Sequence, residues 1–173
     1  RITSNDGIDT WADISWFPCA APGQMYYDAV TGFVFMLCSQ VILIIDGVGL
    51  HDIIYPLSSP LTIHRPVNSS LFYIADGDLG ILTWNGTDIA TLIPPSDCPL
   101  PRSVHVTPSG VILTNCLDIM TVFNGSTRTT IFPFTCFGSR TIDYDPITNT
   151  TIFSCYELGP YRIDSNGSYH RLL

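Results

Sequence analysis

The chain has 173 residues, 46% of them hydrophobic and 13% charged, with a net charge of -8 at pH 7; this supplies one sizeable core and argues against disorder. All seven basic residues are Arg and Glu157 is the sole Glu among 15 acidic residues, a balance that excludes a nucleic-acid partner, whose phosphates need a basic face, and Lys-based Schiff-base chemistry. The longest apolar stretch, residues 33–45, is broken by Ser39 and Gln40 and stops at Asp46, short of the ~20 residues a spanning helix needs, so no transmembrane segment is expected.

In chain order, 13 Gly and 13 Pro punctuate short runs rich in β-branched and aromatic residues, the pattern of many strands and no amphipathic helix. The chain begins at Arg1 without an apolar leader, which reads as a leader that has been removed or lies outside this segment. Residues 1–13, RITSNDGIDTWAD, align with the final hairpin, YRIDSNGSYHRLL. They read as the third and fourth strands, C and D, of a partial unit spanning 1–24 with its connection. Four full units then start at Met25, Thr62, Ser103 and Thr141, giving segments 25–61, 62–102, 103–140 and 141–173. In each, a short strand A ends in an Asp/Pro/Thr/Asn turn, and an apolar strand B runs to a Cys or Ala, as in Gly110 to Cys116. Strand C follows, then a tight turn at Asp46-Gly47, Asn85-Gly86, Asn124-Gly125 or Asn166-Gly167, then strand D. Asn-Gly and Asp-Gly are strong hairpin signals because both central residues are expected to take positive φ.

A period near 40 residues with four strands per unit is the signature of propeller blades. A helical repeat would show 3.6-residue periodicity, and a β-sandwich would not require turns at equal intervals. The expected fold is therefore all-β: a β-propeller of four consecutive four-stranded blades plus a C–D hairpin of a further blade at the N-terminus. That half blade exposes sheet edges, so the chain itself or another protein is expected to complete it.

Five of the seven Asn (Asn68, Asn85, Asn124, Asn149 and Asn166) begin Asn-X-Ser/Thr, where composition alone would give roughly one such glycosylation sequon. They point to N-linked glycans, the eukaryotic secretory pathway and an extracellular or cell-surface location; Asn-Gly turn chemistry is the competing reading. The six Cys also follow the repeat. Cys19, Cys98 and Cys136 precede a blade start by five or six residues, and Cys38, Cys116 and Cys155 end strand B, while the second blade has Leu57 and Ala75 at both places. Joint loss of both members predicts the pairs Cys19–Cys38, Cys98–Cys116 and Cys136–Cys155, each adding ~3 kcal/mol by restricting the unfolded chain; without Cys-X-X-Cys, zinc is a poor rival.

In an up-and-down blade, A–B and C–D turns share one end, and B–C and D–A connections share the other. The sequons fall at the first end and the cysteines at the second. The bare end carries Trp16-Phe17-Pro18, Tyr55-Pro56-Leu57, Pro99-Leu100-Pro101 and Phe132-Pro133-Phe134, which read either as an interaction surface or as caps on the inter-blade core. The third position of strand A holds Tyr27, His64, His105 and Asp143. If His64, His105 and Asp143 converged on the axis they could bind a metal, although polar residues also line water-filled channels. Asp76-Gly77-Asp78, with Asp118 and Glu157 in equivalent loops, reads as hydrogen-bonded turn chemistry or as a Ca²⁺ site. No catalytic motif appears, and no cofactor beyond the glycans is expected.

The segment Ile142-Asp143-Tyr144-Asp145-Pro146 through Tyr161-Arg162-Ile163-Asp164-Ser165-Asn166-Gly167-Ser168 resembles blades of the NHL, YWTD and SMP-30-like (gluconolactonase-like) propellers. There an Asp-Pro turn leads to an apolar strand and then to a strand ending in Asp-X-Asn/Asp-Gly. The SMP-30-like enzymes hold a metal with acidic and Asn ligands, whereas this chain offers His64, His105 and Asp143 and no evident Glu ligand. The NHL and YWTD groups are mostly binding modules or scaffolds. The resemblance therefore leans towards interaction, and the incomplete blade, the dense sequons and the missing catalytic motifs point to a structural or adhesive extracellular module that self-associates or binds a protein, as in a repeating subunit of a fibre or matrix. The alternative is a metal-dependent hydrolase or lactonase with its site in the central channel.

Overall fold

The computed structural model describes residues 2–3, 9–10, 19, 22–117, 119–130, 142–145, 147–156, 158–164 and 168–172. Strands β1 (Ile2–Thr3) and β2 (Asp9–Thr10) pair antiparallel. Four four-stranded sheets follow. The first contains β3 (Met25–Asp28), β4 (Phe33–Leu37), β5 (Ile42–Ile45) and β6 (Leu50–Ile54). The second contains β7 (Pro60–His64), β8 (Phe72–Asp76), β9 (Gly80–Trp84) and β10 (Ile89–Ile93). The third contains β11 (Val104–Val106), β12 (Ile112–Cys116), β13 (Ile119–Asn124) and β14 (Thr127–Thr130), and the fourth β15 (Ile142–Asp145), β16 (Thr150–Cys155), β17 (Gly159–Ile163) and β18 (Tyr169–Arg171). Strand order within every sheet is sequence order, all pairings are antiparallel, and the described residues contain no helix.

Each sheet is a blade packed against its neighbours, and the period-2 alternation of strand side chains divides its residues between two faces. In the second blade Ile74 and Leu82 join a cluster with Phe35, Ile44, Phe72 and Trp84 on the first-blade side. Their neighbours Ala75 and Ile81 join Cys98, Val104, Ile112 and Phe123 on the third-blade side. Both faces are therefore apolar, which is why β9 reads Gly-Ile-Leu-Thr-Trp and β12 Ile-Leu-Thr-Asn-Cys, the latter buried at every position. The fourth strands of the last two blades show the opposite chemistry: β14, Thr-Arg-Thr-Thr, and β18, Tyr-His-Arg, are wholly exposed, while β6 and β10 each bury their final Ile. First strands lie innermost, β11 resting against both β7 and β15.

Two local expectations need correction. The second blade begins at Pro60 rather than Thr62, because a register shift between these residues lets the exposed Leu61 bulge outward; Pro, lacking an N–H, is tolerated at a strand's first residue. Asn166-Gly167 lies outside the described residues, and the three described Asx-Gly turns do not put both central residues at positive φ. Gly86 and Gly125 do so alone, and in the first blade Gly49 does rather than Gly47. The Asx residue instead folds its side chain onto the turn. Asp46 Oδ1 accepts from the Val48 and Gly49 amides, and Asn85 Oδ1 accepts from those of Thr87 and Asp88. That Asx turn satisfies the backbone without left-handed strain. The two sequon residues that do adopt left-handed φ, Asn68 (68°) and Asn149 (53°), sit in A–B turns.

Among the described glycines, Gly80 is the one whose missing side chain the fold requires. Its φ is +89°, and a Cβ there would strike the carbonyl oxygen of Ile93 with Pro94 and Pro95 behind it. Gly80→Ala is expected to cost about 2–3 kcal/mol from left-handed strain and backbone displacement, read as a lowered urea midpoint at unchanged m-value.

Candidate functional site

The innermost strands build a pocket of about 170 Å³ from three blades. His64 ends β7, His105 is central in β11 and Asp143 follows Ile142 in β15, and all three line it together with Thr62, Ser103 and Tyr26. Tyr27, which the repeat places in register with them, is 63% exposed and does not line the pocket. The imidazoles of His64 and His105 meet with centroids 4.2 Å apart and planes tilted by 37°, and Tyr144 approaches His105 at 5.7 Å. His64 Nε2–H donates to the Val106 carbonyl at 3.3 Å. The Asp143 carboxylate accepts from the Tyr144 amide at 2.9 Å. Among the described residues, no three His, Cys, Asp or Glu side chains gather closely enough to hold a metal ion. The pocket presents two adjoining neutral imidazoles, one carboxylate and hydroxyls, a surface suited to hydrogen bonding.

Burial pushes the His64 imidazole below its usual pKa, only partly opposed by its bond to Val106 and by Asp143. His105 is pushed down to about 4, first by burial and then by the neighbouring His64, against the pull of Asp143. Unfolded histidine titrates near 6.5, so between about pH 6.5 and 4 the unfolded chain binds the extra proton and stability falls with acidification. Because the pocket admits water, the loss from His105 is expected to be about 2 kcal/mol over this window. His105→Gln should flatten that slope in urea titrations run at successive pH values.

At the end bearing the B–C and D–A connections, disulfides join Cys19 to Cys38 and Cys98 to Cys116. Cys155 is also disulfide-bonded, and Cys136 lies outside the described residues. The second blade closes the same joint with a carboxylate. Asp76, fully buried, accepts through Oδ2 from the Ser58 and Ser59 amides at 2.9 and 3.0 Å, and through Oδ1 from those of Asp78 and Leu79 at 3.1 and 3.0 Å. Four backbone donors occupy the group that sequence reading weighed as a Ca²⁺ ligand. Asp118 and Glu157, its companions in that reading, lie outside the described residues.

At the opposite end Asn68, Asn85, Asn124 and Asn149 are all exposed, at turns or, for Asn124, at the strand end that leads into one, and Asn166 lies outside the described residues. Of the apolar loops expected at the disulfide end, Trp16-Phe17-Pro18 and Phe132-Pro133-Phe134 lie outside the described residues. The other two divide their roles: Leu57 and Pro101 are buried as caps, whereas Tyr55 is 69% and Leu100 46% exposed. Leu117 (51%) and Tyr156 (88%), in B–C loops of the third and fourth blades, extend that surface; both follow a strand-ending Cys, a signal present in the sequence but not used. Missed altogether, among the described residues, were the buried Ser103 hydroxyl at the pocket and the buried Asn115 carboxamide in β12, both without hydrogen-bond partners. No sequence pattern announces either.

No protein-family model and no curated protein sequence matches the chain. Among solved structures, a chain of the nidogen/laminin complex superposes with a TM-score of 0.74 at 14% identity, over 88% of this chain and 64% of that one. The extracellular domain assigned to a hybrid two-component system of B. thetaiotaomicron superposes with a TM-score of 0.64 at 13% identity, over 87% of this chain and 21% of the other. That assigned to a one-component system of the same organism gives 0.68 at 16%, over 91% and 22%. The chain thus spans about two thirds of the first match and a fifth of the bacterial ones, and at these identities the likeness shows the fold: a β-propeller.

Proposed function

We propose that the chain is an extracellular, N-glycosylated propeller module that associates with protein, a further copy of itself included, through its disulfide-bearing end, as in a surface fibre or matrix. The carrying observation is the division of the surface by chemistry. Tyr55, Leu100, Leu117 and Tyr156 are exposed at the end that has the cysteines, and the described sequons sit at the other. Apolar tips occur at the sequon end too, at Val30, Val48, Val67 and Ile147. Val67 adjoins Asn68 and Ile147 lies two residues from Asn149, where attached sugars would cover them. Tyrosine, large and rigid with a polar tip, is the better interface anchor.

Disulfides belong to oxidising compartments, and the described residues contain no helix long and apolar enough to cross a membrane. Among the similar folds are the extracellular domains of the two bacterial systems and a chain crystallised in a protein–protein complex. The test is a photo-crosslinking side chain at position 156 in the chain secreted from a eukaryotic host, combined with sedimentation velocity. Specific crosslinks that disappear on Tyr55→Ser are the expected result. A monomer at every concentration that crosslinks to nothing at the cell surface would falsify the reading.

A further inference from the structure

Between the first two blades, at the sequon end, lies a cavity of about 280 Å³. Its apolar wall is Phe33, Phe72 and Trp84, and its polar edge includes His51, Asp52 and Arg65. Asn85 and Gly86, the second-blade C–D turn, form part of its lining. The volume sits at the small end of the roughly 300–1,000 Å³ common for ligand pockets, room for one sugar ring rather than an oligosaccharide.

Asn85 is held unusually firmly for an exposed residue. Its Oδ1 accepts from the Thr87 amide (2.9 Å), the Thr87 hydroxyl (3.0 Å) and the Asp88 amide (2.8 Å). Nδ2 has one long contact, 3.4 Å to Asp88 Oδ2. The carboxamide is therefore fixed through its oxygen, leaving the nitrogen as the position for a substituent. From these features we infer that the first N-acetylglucosamine of a glycan on Asn85 packs into this cavity as a permanent part of the propeller wall. The inference rests on the proposed secretory glycosylation.

The attachment requires a lipid-diphosphate-linked oligosaccharide donor. Asn85 Nδ2 bonds to the anomeric carbon, the carbon–oxygen bond to the diphosphate breaks, the diphosphate leaves with the electron pair, and one amide proton passes to the transferase's base. The pyranose C–H face and the acetyl methyl match the Phe33, Phe72 and Trp84 wall, and the hydroxyls match the polar edge. A monosaccharide alone would bind such a cavity weakly. A tether as short as one side chain, however, gives an effective concentration in the millimolar range or above, so the site fills without high intrinsic affinity.

The experiment uses the full chain secreted from a eukaryotic host and trimmed with an endoglycosidase that leaves one N-acetylglucosamine per sequon. The expected spectrum shows one acetyl methyl shifted upfield from the others by aromatic ring currents, with nuclear Overhauser contacts to the Trp84 ring. Asn85→Gln should abolish that resonance, and Asn124→Gln, on an open turn, should leave it. Trimming to the single sugar should preserve the thermal midpoint, whereas a chain made without glycans should melt roughly 2–4 °C lower. Occupied sequons whose acetyl methyls all coincide, or an Asn85 left bare while the other sequons carry glycans, would overturn this inference alone. Sequons that are all bare would overturn the secretory reading and this inference together.

Discussion

Arg65→Met is expected to destabilise the propeller by about 3–5 kcal/mol, the cost of leaving one member of a buried ion pair unpaired. Arg65 follows β7 in the second blade, and its Nη1 donates to Asp28 Oδ2, at the end of β3 in the first, at 2.6 Å. The two side chains are only 14% and 4% exposed. Arg65 Nε donates to the Ser69 carbonyl at 2.7 Å, and the guanidinium lies 5.0 Å from the centre of the Phe72 ring. One side chain therefore fastens two blades, a turn and an aromatic core. Burial works to raise the Asp28 pKa, but hydrogen bonds from Thr31 and Arg65 and the Arg65 charge outweigh it and hold the carboxyl below the ordinary value. Its contribution to stability is thus complete above about pH 4 and lost as pH falls through the lower folded pKa. In Arg65→Met the carboxylate keeps only its Thr31 donors. The deficit should therefore shrink under acid, and Asp28→Asn in the same chain should recover part of it. Urea unfolding at pH 7 and pH 3.5 measures both; a loss under about 1 kcal/mol at pH 7 would show that water replaces the pair.

Asp76→Ala should cost a comparable amount, about 3–5 kcal/mol, because four backbone N–H groups lose a charged acceptor at once. Asp76→Asn is not a rescue: each carboxylate oxygen accepts from two amides, so either orientation of the carboxamide sets its NH₂ against donors. The Cys98→Ser/Cys116→Ser variant closes the equivalent joint of the third blade, across 18 residues, less tightly, and its expected loss is ~3 kcal/mol. Reductant separates the two kinds of fastening. Hydrogen exchange should quicken around Arg102, whose amide donates to the Asn115 carbonyl, while the Ser58 and Ser59 amides stay protected. Equal exchange at both joints would mean that the disulfide and the carboxylate are not equivalent clasps.

The repeat was legible because each blade solves the same local problem: two central strands that carry most of the buried side chains, a more exposed fourth strand and a turn at each end. The first strand of each blade started within one residue of the expected place, except where a bulge moved the second blade's start two residues back to Pro60. The turn sites were legible from Asn-Gly and Asp-Gly, but their geometry was not. Residues 85 and 46 use their side chains as acceptors, a choice that depends on a loop longer than two residues. For the candidate site, register put His64, His105 and Asp143 on one pocket but put Tyr27 there too, and Tyr27 does not line it. The close approach of the two imidazoles was not legible either, since it depends on the spacing between blades.

The order of short strands, the all-β class and the segregation of Cys from sequons were thus determined by the sequence itself, because period-2 alternation and turn residues act over a few positions. The tertiary structure alone decided that Arg65 meets Asp28, that Asp76 takes over from a missing disulfide, and that Asn85 borders an aromatic cavity. Each of these depends on separate segments meeting in space, in two of the three on neighbouring blades. In such contacts the free energy comes from burial and from the satisfaction of charged and polar groups, which chain-local patterns do not encode.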